Sequence, residues 1–141
     1  MKIIQISFSD KEFFIIKNIR KTVFSNEMGI PESELFDRFD VESDHFLLLE
    51  NNDVIGSVRL RKIENIIKLE RMAIYEKFRK QNFGHDTIRQ IIDYYKEKKI
   101  EKIILDSIYD VRGFYKKCGF TEVGQIFDRV GLPHITMELS F

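Results

Sequence analysis

The sequence has few of the residues that stabilise secreted proteins or anchor membrane proteins. Its one cysteine among 141 residues, Cys118, excludes an internal disulfide framework. No apolar run approaches the roughly 20 residues that a helix needs to cross a bilayer. Residues 1–8 alternate apolar and polar side chains over too short a length for a signal peptide. We therefore expect a cytoplasmic protein that does not contact membranes.

An excess of either charge is also missing, because Lys plus Arg and Asp plus Glu both number 23. A chain without a net basic field is not expected to bind nucleic acid. The lysines between positions 96 and 102 are typical of a solvated helix end. The three histidines lie far apart, without the spacing of paired metal ligands, so we expect no metal.

Apolar and aromatic residues are abundant, with 43% of the chain hydrophobic and 13 phenylalanines. That content is enough for one hydrophobic core, and we expect a single domain over residues 1–141. The periodicity of apolar residues predicts the order strand, helices, three antiparallel strands, helix, strand, helix, two strands. The expected fold class is α/β, a mixed sheet with helices on both faces.

Several boundaries follow from local signals. Ser9 to Glu12 has the spacing of a capping box, which predicts a helix from there through Val23. Asn51 to Asp53 predicts a hairpin turn. Predicted strands cover 3–8, 46–50, 54–62, 66–74, 102–106, 123–127 and 135–141, with the strand at 102–106 parallel to that at 66–74. If the last strand is exposed, two copies of the chain can pair through it as a homodimer.

The segment Arg79 to Gly84 is the most informative part of the chain. It lies between a strand pattern at 66–74 and an amphipathic helix pattern that begins near Ile88. A loop that turns directly into a helix leaves backbone N–H groups unpaired at the positive end of the helix dipole. Such a terminus favours phosphate, although an ordinary strand-to-helix turn that binds nothing fits the same pattern.

This loop resembles the signature of the GCN5-related N-acetyltransferases (GNAT family), which is Arg or Gln, two residues, Gly, one residue, then Gly or Ala. Arg79, Asn82 and Gly84 occupy these positions, and Asn82 replaces the usual Gly with the residue that best tolerates left-handed geometry. The segment Gly113 to Phe120 resembles a second element of the family, which is Phe-Tyr, a short variable stretch, and then Gly-Phe. Residues 20–40 and 131–137 resemble the small bacterial acetyltransferases grouped with ElaA and YjcF.

The resemblance implies the GNAT fold and acetyl-CoA as co-substrate. Backbone groups of Met72, Ala73 and Ile74 would then pair with the pantetheine arm, and the oxyanion of the reaction would be stabilised by an N–H in the same segment. The N–H groups of the loop would hold the pyrophosphate, with Arg79 and Lys80 adding positive charge. The complete predicted cofactor loop is Arg79, Lys80, Gln81, Asn82, Phe83, Gly84 and His85.

Acyl transfer to an amine requires a base for the amine and an acid for the departing thiolate. Tyr115 matches the family's tyrosine general acid, although a core aromatic is the alternative. Glu70 is a candidate base if regular pairing places it on the face of Met72, and a surface ion pair is its alternative. His134 is a second candidate base, or else a structural histidine. Glu27 would bind the amine as a counter-ion, or else stabilise its own loop.

The primary hypothesis is an N-acetyltransferase that moves an acetyl group from acetyl-CoA to a small-molecule amine by direct attack in a ternary complex. The alternative is a non-catalytic acyl-CoA-binding sensor or interaction module. Two departures from the family pattern support that alternative, Asn82 and Ile108, the latter at a position where the family often has Asn or Gln. Synthesis of acyl-homoserine lactones is a third option, for which the chain is short.

Overall fold

Seven strands form one mixed sheet in the computed structural model, which describes residues 1–141. The strands are β1 Lys2–Ile6, β2 Asp44–Glu50, β3 Asp53–Ile63, β4 Ile66–Ile74, β5 Lys102–Ile108, β6 Thr121–Arg129 and β7 Leu132–Ser140. Their order across the sheet is β1-β2-β3-β4-β5-β7-β6. The α-helices are α1 Phe13–Arg20, α2 Phe83–Lys96 and α3 Arg112–Lys117.

Helices cover both faces of the sheet, as the sequence predicts. Because successive residues of a strand point to opposite faces, Phe46 and Leu48 of β2 pack in the core beneath α2. Leu47 packs on the other face, in the smaller core that includes Phe13 and Ile16 of α1. The predicted mixed α/β class is therefore confirmed.

The first helix begins differently from the sequence prediction. The Asp10 carboxylate accepts a hydrogen bond from the Ser7 backbone N–H at 2.7 Å, which closes a turn before the helix. Glu12 then occupies the N-cap position without a side-chain cap, so the predicted capping box is wrong. Beyond α1 the chain continues as a π-helix, Lys21–Glu27, and then as two 3₁₀ helices, Glu32–Glu34 and Arg38–Asp40.

The central meander matches the prediction closely. Asn51 and Asn52 both have positive φ, as a tight hairpin between β2 and β3 requires. The next turn places Glu64 at positive φ, and β4 has the predicted bounds. These turns fix the antiparallel order of β2, β3 and β4.

The parallel pair β4 and β5 separates along its length. Pairing runs from Ile66 with Lys102 to Leu69 with Leu105, and β4 then continues to Ile74 without β5. Pairing with β3 also shifts here, because Arg59 faces Glu70 while Ser57 faces Ala73. Arg71 has a φ of 55° within this bulge. The two strands therefore open a slot at one end of the sheet.

The last strand is not an edge strand. β7 pairs with β5 on one side and with β6 on the other. The predicted exposure of the C-terminal strand is therefore wrong, and β6 forms the edge, where Val123 and Ile126 are exposed. The hairpin from β6 to β7 folds the last strand back into the sheet.

Candidate active site

The loop before α2 has the geometry that its sequence suggests. A short 3₁₀ helix, Glu76–Phe78, follows β4, and the chain then turns through Lys80 and Asn82, both at positive φ. The Asn82 carbonyl accepts a bond from the Asp86 N–H at 3.0 Å, which is the first bond of the helical ladder. The N–H groups that precede Asp86 in this turn have no carbonyl of the ladder to pair with, so they are free for a ligand.

A cavity of about 470 Å³ lies between this loop and α3. It brings together nine of the residues predicted from the sequence: Met72, Ile74, Arg79, Lys80, Asn82, Phe83, Gly84, His85 and Tyr115. Phe78, Val111 and Phe114 complete its lining. Ala73 and Gln81 lie outside the lining. Ala73 is buried in the core beneath α1, and the Gln81 amide donates a hydrogen bond to the Lys77 carbonyl at 3.0 Å.

Gly84 allows α2 to approach α3 closely. A Cβ at this position would lie 2.9 Å from the Phe114 ring, closer than real side chains pack. A larger residue would therefore displace the Phe114 ring and change the shape of the cavity. The family-like Gly84 thus has a packing reason in this structure.

Arg79 ties the loop to its surroundings. Its Nε donates to the Ile74 carbonyl at 2.8 Å, and its Nη2 donates to Glu27 Oε2 at 2.6 Å. Glu27 therefore pairs with the Arg79 to Gly84 loop from the π-helix and lines a separate, open hollow beside Tyr75. It does not line the cavity expected for the amine substrate.

Tyr115 lies at the inner end of the first cavity, partly buried among aromatic rings. Its ring centroid is 4.9 Å from that of Phe114 and 5.9 Å from that of Phe120. Burial raises the pKa of the Tyr115 phenol to about 12, with a further contribution from the charge of an ionised Cys118. The phenol is therefore a protonated hydrogen-bond donor throughout the physiological pH range.

The fold brings a histidine to Cys118 from 33 residues away. Nδ1 of His85 lies 3.3 Å from the Cys118 sulfur. Burial raises the pKa of the Cys118 thiol, which keeps it neutral. Separation along the sequence hid this contact, because α2 and α3 meet only after the strand β5 between them has joined the sheet.

A second cavity of about 390 Å³ opens on the other side of Met72, which lines both cavities. Its remaining lining residues are Phe24, Met28, Ile30, Glu34, Leu35, Arg71, Ile108, Arg129, Val130 and His134. These residues come from the π-helix, the irregular segment after it, and strands β4 to β7. Ile108 is an apolar part of this wall.

His134 has a defined tautomer in the second cavity. Its Nδ1 is 2.9 Å from the Leu132 carbonyl oxygen, and because a carbonyl only accepts, Nδ1 carries the proton. Nε2 is then left as a proton acceptor. The ring stacks on Phe127 and is only 7% exposed, which holds its orientation. Register with Ile108 places His134 at the end of β5, beside the slot.

Glu70 is held differently from the sequence expectation. The bulge at Arg71 breaks the regular pairing on which that expectation depended, and Glu70 lines neither cavity. Its carboxylate accepts hydrogen bonds from Arg61 Nε at 2.9 Å and Arg59 Nη2 at 3.0 Å. Burial alone would raise the pKa of Glu70, but the bond from Arg61 and the charges of both arginines hold it below its ordinary value. A carboxylate in this state is a weak base.

A buried charge network beneath the second cavity has no signal in the sequence. Asp40 binds Arg20 and Arg59 at 3.0 Å each, and all three side chains are at most 2% exposed. Asp37 binds Arg59 at 2.6 Å and Arg71 at 3.2 Å. Its members come from α1, the second 3₁₀ helix, β3 and β4, so only the assembled sheet brings them together.

Comparison with known proteins decides the family. The model of the acetyltransferase (GNAT) domain matches residues 7–141. The chain belongs to the GNAT acetyltransferase family. It is 32% identical over 122 residues to Bacillus subtilis YyaT, covering 84% of this chain and 82% of YyaT. It is 26% identical over 120 residues to the B. subtilis N-acetyltransferase YjcF, covering 84% and 86% of the two chains.

Solved structures of GNAT proteins share the fold. The crystal structure of Escherichia coli ElaA superimposes with a TM-score of 0.84 at 18% identity, covering 98% of this chain and 99% of ElaA. A GNAT acetyltransferase from Elizabethkingia anophelis with acetyl-CoA bound gives a TM-score of 0.74 at 16% identity, covering 99% and 97%. The resemblance to the ElaA and YjcF group is confirmed, as is the expected GNAT fold. None of the helices is both long and apolar enough to span a bilayer.

Proposed function

We propose that this protein transfers an acetyl group from acetyl-CoA to the amine of a small molecule by direct attack in a ternary complex. The observation that carries the proposal is the wall shared by the two cavities, where Met72 separates a slot beside a phosphate-type loop from a cavity that combines apolar and charged side chains with His134. Two substrates bound in these cavities would meet at this residue. Direct transfer needs such a meeting point, because no covalent enzyme intermediate carries the acetyl group between sites.

The residues of the first cavity fit acetyl-CoA. The N–H groups at the start of α2 suit a pyrophosphate, and the end of β4 beyond Leu69 has no β5 partner for its backbone groups. The backbone groups of Met72 to Ile74 that have no partner are therefore proposed to pair with the pantetheine amides, whereas the Ile74 carbonyl already accepts a hydrogen bond from Arg79 Nε at 2.8 Å. Because Gly84 has no side chain, the start of α2 can approach Phe114 closely while the cavity beside it stays open. The acetyl-CoA bound by the E. anophelis protein agrees with this choice.

Tyr115 is proposed to stabilise the departing sulfur. When the amine nitrogen bonds to the acetyl carbon, the carbon–sulfur bond breaks and the sulfur leaves as a thiolate. The ordinary pKa of a thiol is about 8.5, well below the pKa of about 12 for Tyr115, so complete proton transfer from the phenol is unfavourable. Tyr115 would act mainly as a hydrogen-bond donor to the sulfur, and CoA would leave as the thiolate, which equilibrates with the protons of the buffered solvent after release.

His134 is proposed as the base that accepts the proton of the amine. Its free Nε2 and its place in the second cavity meet the requirements for this role. Glu70 meets them less well, because two arginines occupy its carboxylate. Replacing His134 with Gln is expected to lower kcat much more than replacing Glu70 with Gln, when both variants remain folded.

A CoA-binding sensor is the second candidate, and Ile108 is the residue that favours it. Ile108 supplies no amide to the cavity wall at a position where the family often has one. Asn82 no longer favours the sensor, because it adopts the left-handed geometry that the family glycine would supply. Of the two residues that supported the sensor hypothesis, only Ile108 still does.

Incubation with acetyl-CoA and a broad panel of amines, followed by detection of the released thiol, tests the proposal. We expect release that depends on the amine and yields the N-acetyl product by mass spectrometry. Calorimetry with CoA on the same protein provides the control for folding and cofactor binding. Tight CoA binding with no product from any amine would favour the sensor.

A further inference from the structure

The second cavity combines two guanidinium groups and one carboxylate with an apolar wall. Arg71, Arg129 and Glu34 supply the charges, and seven of its eleven lining residues are hydrophobic. Its volume of about 390 Å³ is at the small end of the range for ligand pockets. We infer that the acceptor is a small amino acid with an apolar side chain, whose carboxylate binds between Arg71 and Arg129. This inference rests on the proposed acetyl transfer and specifies its substrate.

The floor of the cavity carries an uncompensated positive charge. Arg71 belongs to a network in which four arginines, Arg20, Arg59, Arg61 and Arg71, face three carboxylates, Asp37, Asp40 and Glu70. The nearby His45 adds no negative charge to it. Because these groups are mostly shielded from water, the excess charge is weakly screened and attracts an anion. Arg71 is the member of this network that reaches the cavity.

Arg71 retains donors for a ligand. Its Nε donates to the Leu35 carbonyl at 3.3 Å and its Nη2 to Asp37 at 3.2 Å, while its Nη1 makes no hydrogen bond within the protein. The two existing bonds fix the plane of the guanidinium. The backbone of Arg71 has a φ of 55° within the bulge between β3 and β4, a conformation that is uncommon for a non-glycine residue.

The opposite wall has a second excess of positive charge. Arg129 Nη1 lies 2.9 Å from Asp106, and Lys68 lies 3.2 Å from the same carboxylate oxygen. Two cations therefore share one carboxylate. Arg129 is 48% exposed at the end of β6, so its remaining donors face the cavity and solvent. A planar guanidinium suits a carboxylate, with which it forms paired hydrogen bonds.

The amine end has its own partners. Glu34 makes no ion pair in the structure and is the one carboxylate that lines the cavity. It is placed to attract an ammonium group before His134 accepts a proton from it. Two guanidinium groups and one carboxylate match a ligand that carries one ammonium and at least one acidic group. The apolar wall, which includes Phe24, Ile30 and Ile108, is suited to an aliphatic side chain.

Calorimetry in saturating CoA with leucine, leucinamide and glycine tests this inference without requiring turnover. We expect leucine to bind about tenfold more tightly than either of the other two, the amide lacking the charge and glycine the side chain. The Arg129→Met variant should bind leucine about tenfold more weakly and leucinamide unchanged. The matched control is Lys62→Met, which removes an exposed cation of β3 outside the cavity. This variant should bind leucine and leucinamide as the wild type does.

Steady-state acetylation of the same three acceptors then separates the two proposals. Preference for leucine in calorimetry without any product would refute acetyl transfer and leave the carboxylate site standing. Equal binding of leucine and leucinamide, or an Arg129→Met variant that weakens both alike, would overturn the carboxylate site. Competition by inorganic phosphate that is stronger than competition by acetate would overturn the choice of a carboxylate over a phosphate group.

Discussion

The two cavities that meet at Met72 are built in different ways. The first is formed almost entirely by residues 72–85 and 111–115, and its proposed ligand contacts are backbone groups and apolar side chains. The second draws on the π-helix, turns and strands from across the chain. Its charged lining residues are Arg71, Arg129 and Glu34, and Arg71 connects it to the buried network of arginines and carboxylates. One proposed substrate site is therefore specified by neighbouring residues and the other by the assembled fold, so substitutions should affect the two sites separately.

The largest effect is expected from Asp40→Asn. This change removes the charge that compensates both Arg20 and Arg59, each 3.0 Å away and almost fully buried. Loss of one partner from a buried ion pair costs about 3–5 kcal/mol in the free energy of unfolding. Urea unfolding measures that loss. Glu32→Gln, which breaks only an exposed pair with Lys21, should cost less than about 1 kcal/mol.

The CoA affinity of folded Asp40→Asn protein sharpens the comparison. We expect it to equal that of the wild type, because no member of the charge network lines the first cavity. If folded Asp40→Asn protein instead loses much of its CoA affinity, the two cavities are energetically coupled.

The same carboxylates predict sensitivity to acid. In Asp37, Asp40 and Glu70, burial works to raise the pKa, but bonds and charges from the arginines prevail and hold each pKa below its ordinary value of 3.8 or 4.5. Their contribution to stability is therefore complete above about pH 4.5 and is lost as the pH falls through the lowered values. Urea midpoints measured from pH 7 to pH 3 should drop in that lower range, and less so in Asp40→Asn.

Tyr115→Phe should slow the reaction without weakening CoA binding. A hydrogen bond to a charged group such as the departing thiolate is worth about 1.5–3 kcal/mol, or about 10- to 100-fold in rate, and the ring packing on Phe114 and Phe120 is kept. Comparison of kcat with the calorimetric Kd for CoA separates the two effects. The control is Tyr94→Phe, which removes a hydroxyl bonded to Gln5 far from the cavity. An unchanged kcat would mean that Tyr115 is a core aromatic residue without a role in the reaction.

Asn82→Val should weaken CoA binding by about five- to thirtyfold. The loop requires a φ of 65° at this position, and a β-branched residue in the left-handed region costs about 1–2 kcal/mol. Asn82→Gly is the matched control and should bind CoA at least as tightly as the wild type. Calorimetry with CoA measures both variants. If Val and Gly variants bind alike, the loop does not hold the cofactor through its backbone.

Glu27→Gln should have the smallest effect. Its bond to Arg79 is partly exposed, and such pairs are worth about 1 kcal/mol at most, or about fivefold in CoA affinity. The KM for any acceptor should not change, because Glu27 lies outside the second cavity. A marked rise in acceptor KM would instead support the amine-binding role that the sequence suggested.

The parts of the fold that sequence reasoning predicted are those determined by neighbouring residues. Asn51 and Asn52 carry their own turn geometry, and the alternation in Ile66–Ile74 reflects a strand buried on one face. The bulge at Arg71 has no such signal, because it arises from the mismatch between β3 and β4. The place of β7 inside the sheet was missed for the same reason, since edge positions depend on pairing between distant segments.

The candidate site divides in the same way. The loop from Arg79 to Gly84 is contiguous, so its motif could be recognised, and nine of the residues predicted from the sequence do line one cavity. Arg71 and Arg129 were not singled out, because nothing near them in the sequence indicates that they face each other across a cavity. The expectation that Glu70 lies on the same face as Met72 assumes a regular strand, and the observed register shift between β3 and β4 shows that this assumption is wrong.

The position of Met72 has a thermodynamic consequence. A single flexible thioether forms part of both walls, so whichever molecule arrives first selects the rotamer that the second one meets. Any such cooperativity must be reciprocal: the factor by which the acyl donor alters the affinity for the acceptor equals the factor by which the acceptor alters the affinity for the donor. With both proposed substrates bound, this one side chain would couple the affinities of the two sites.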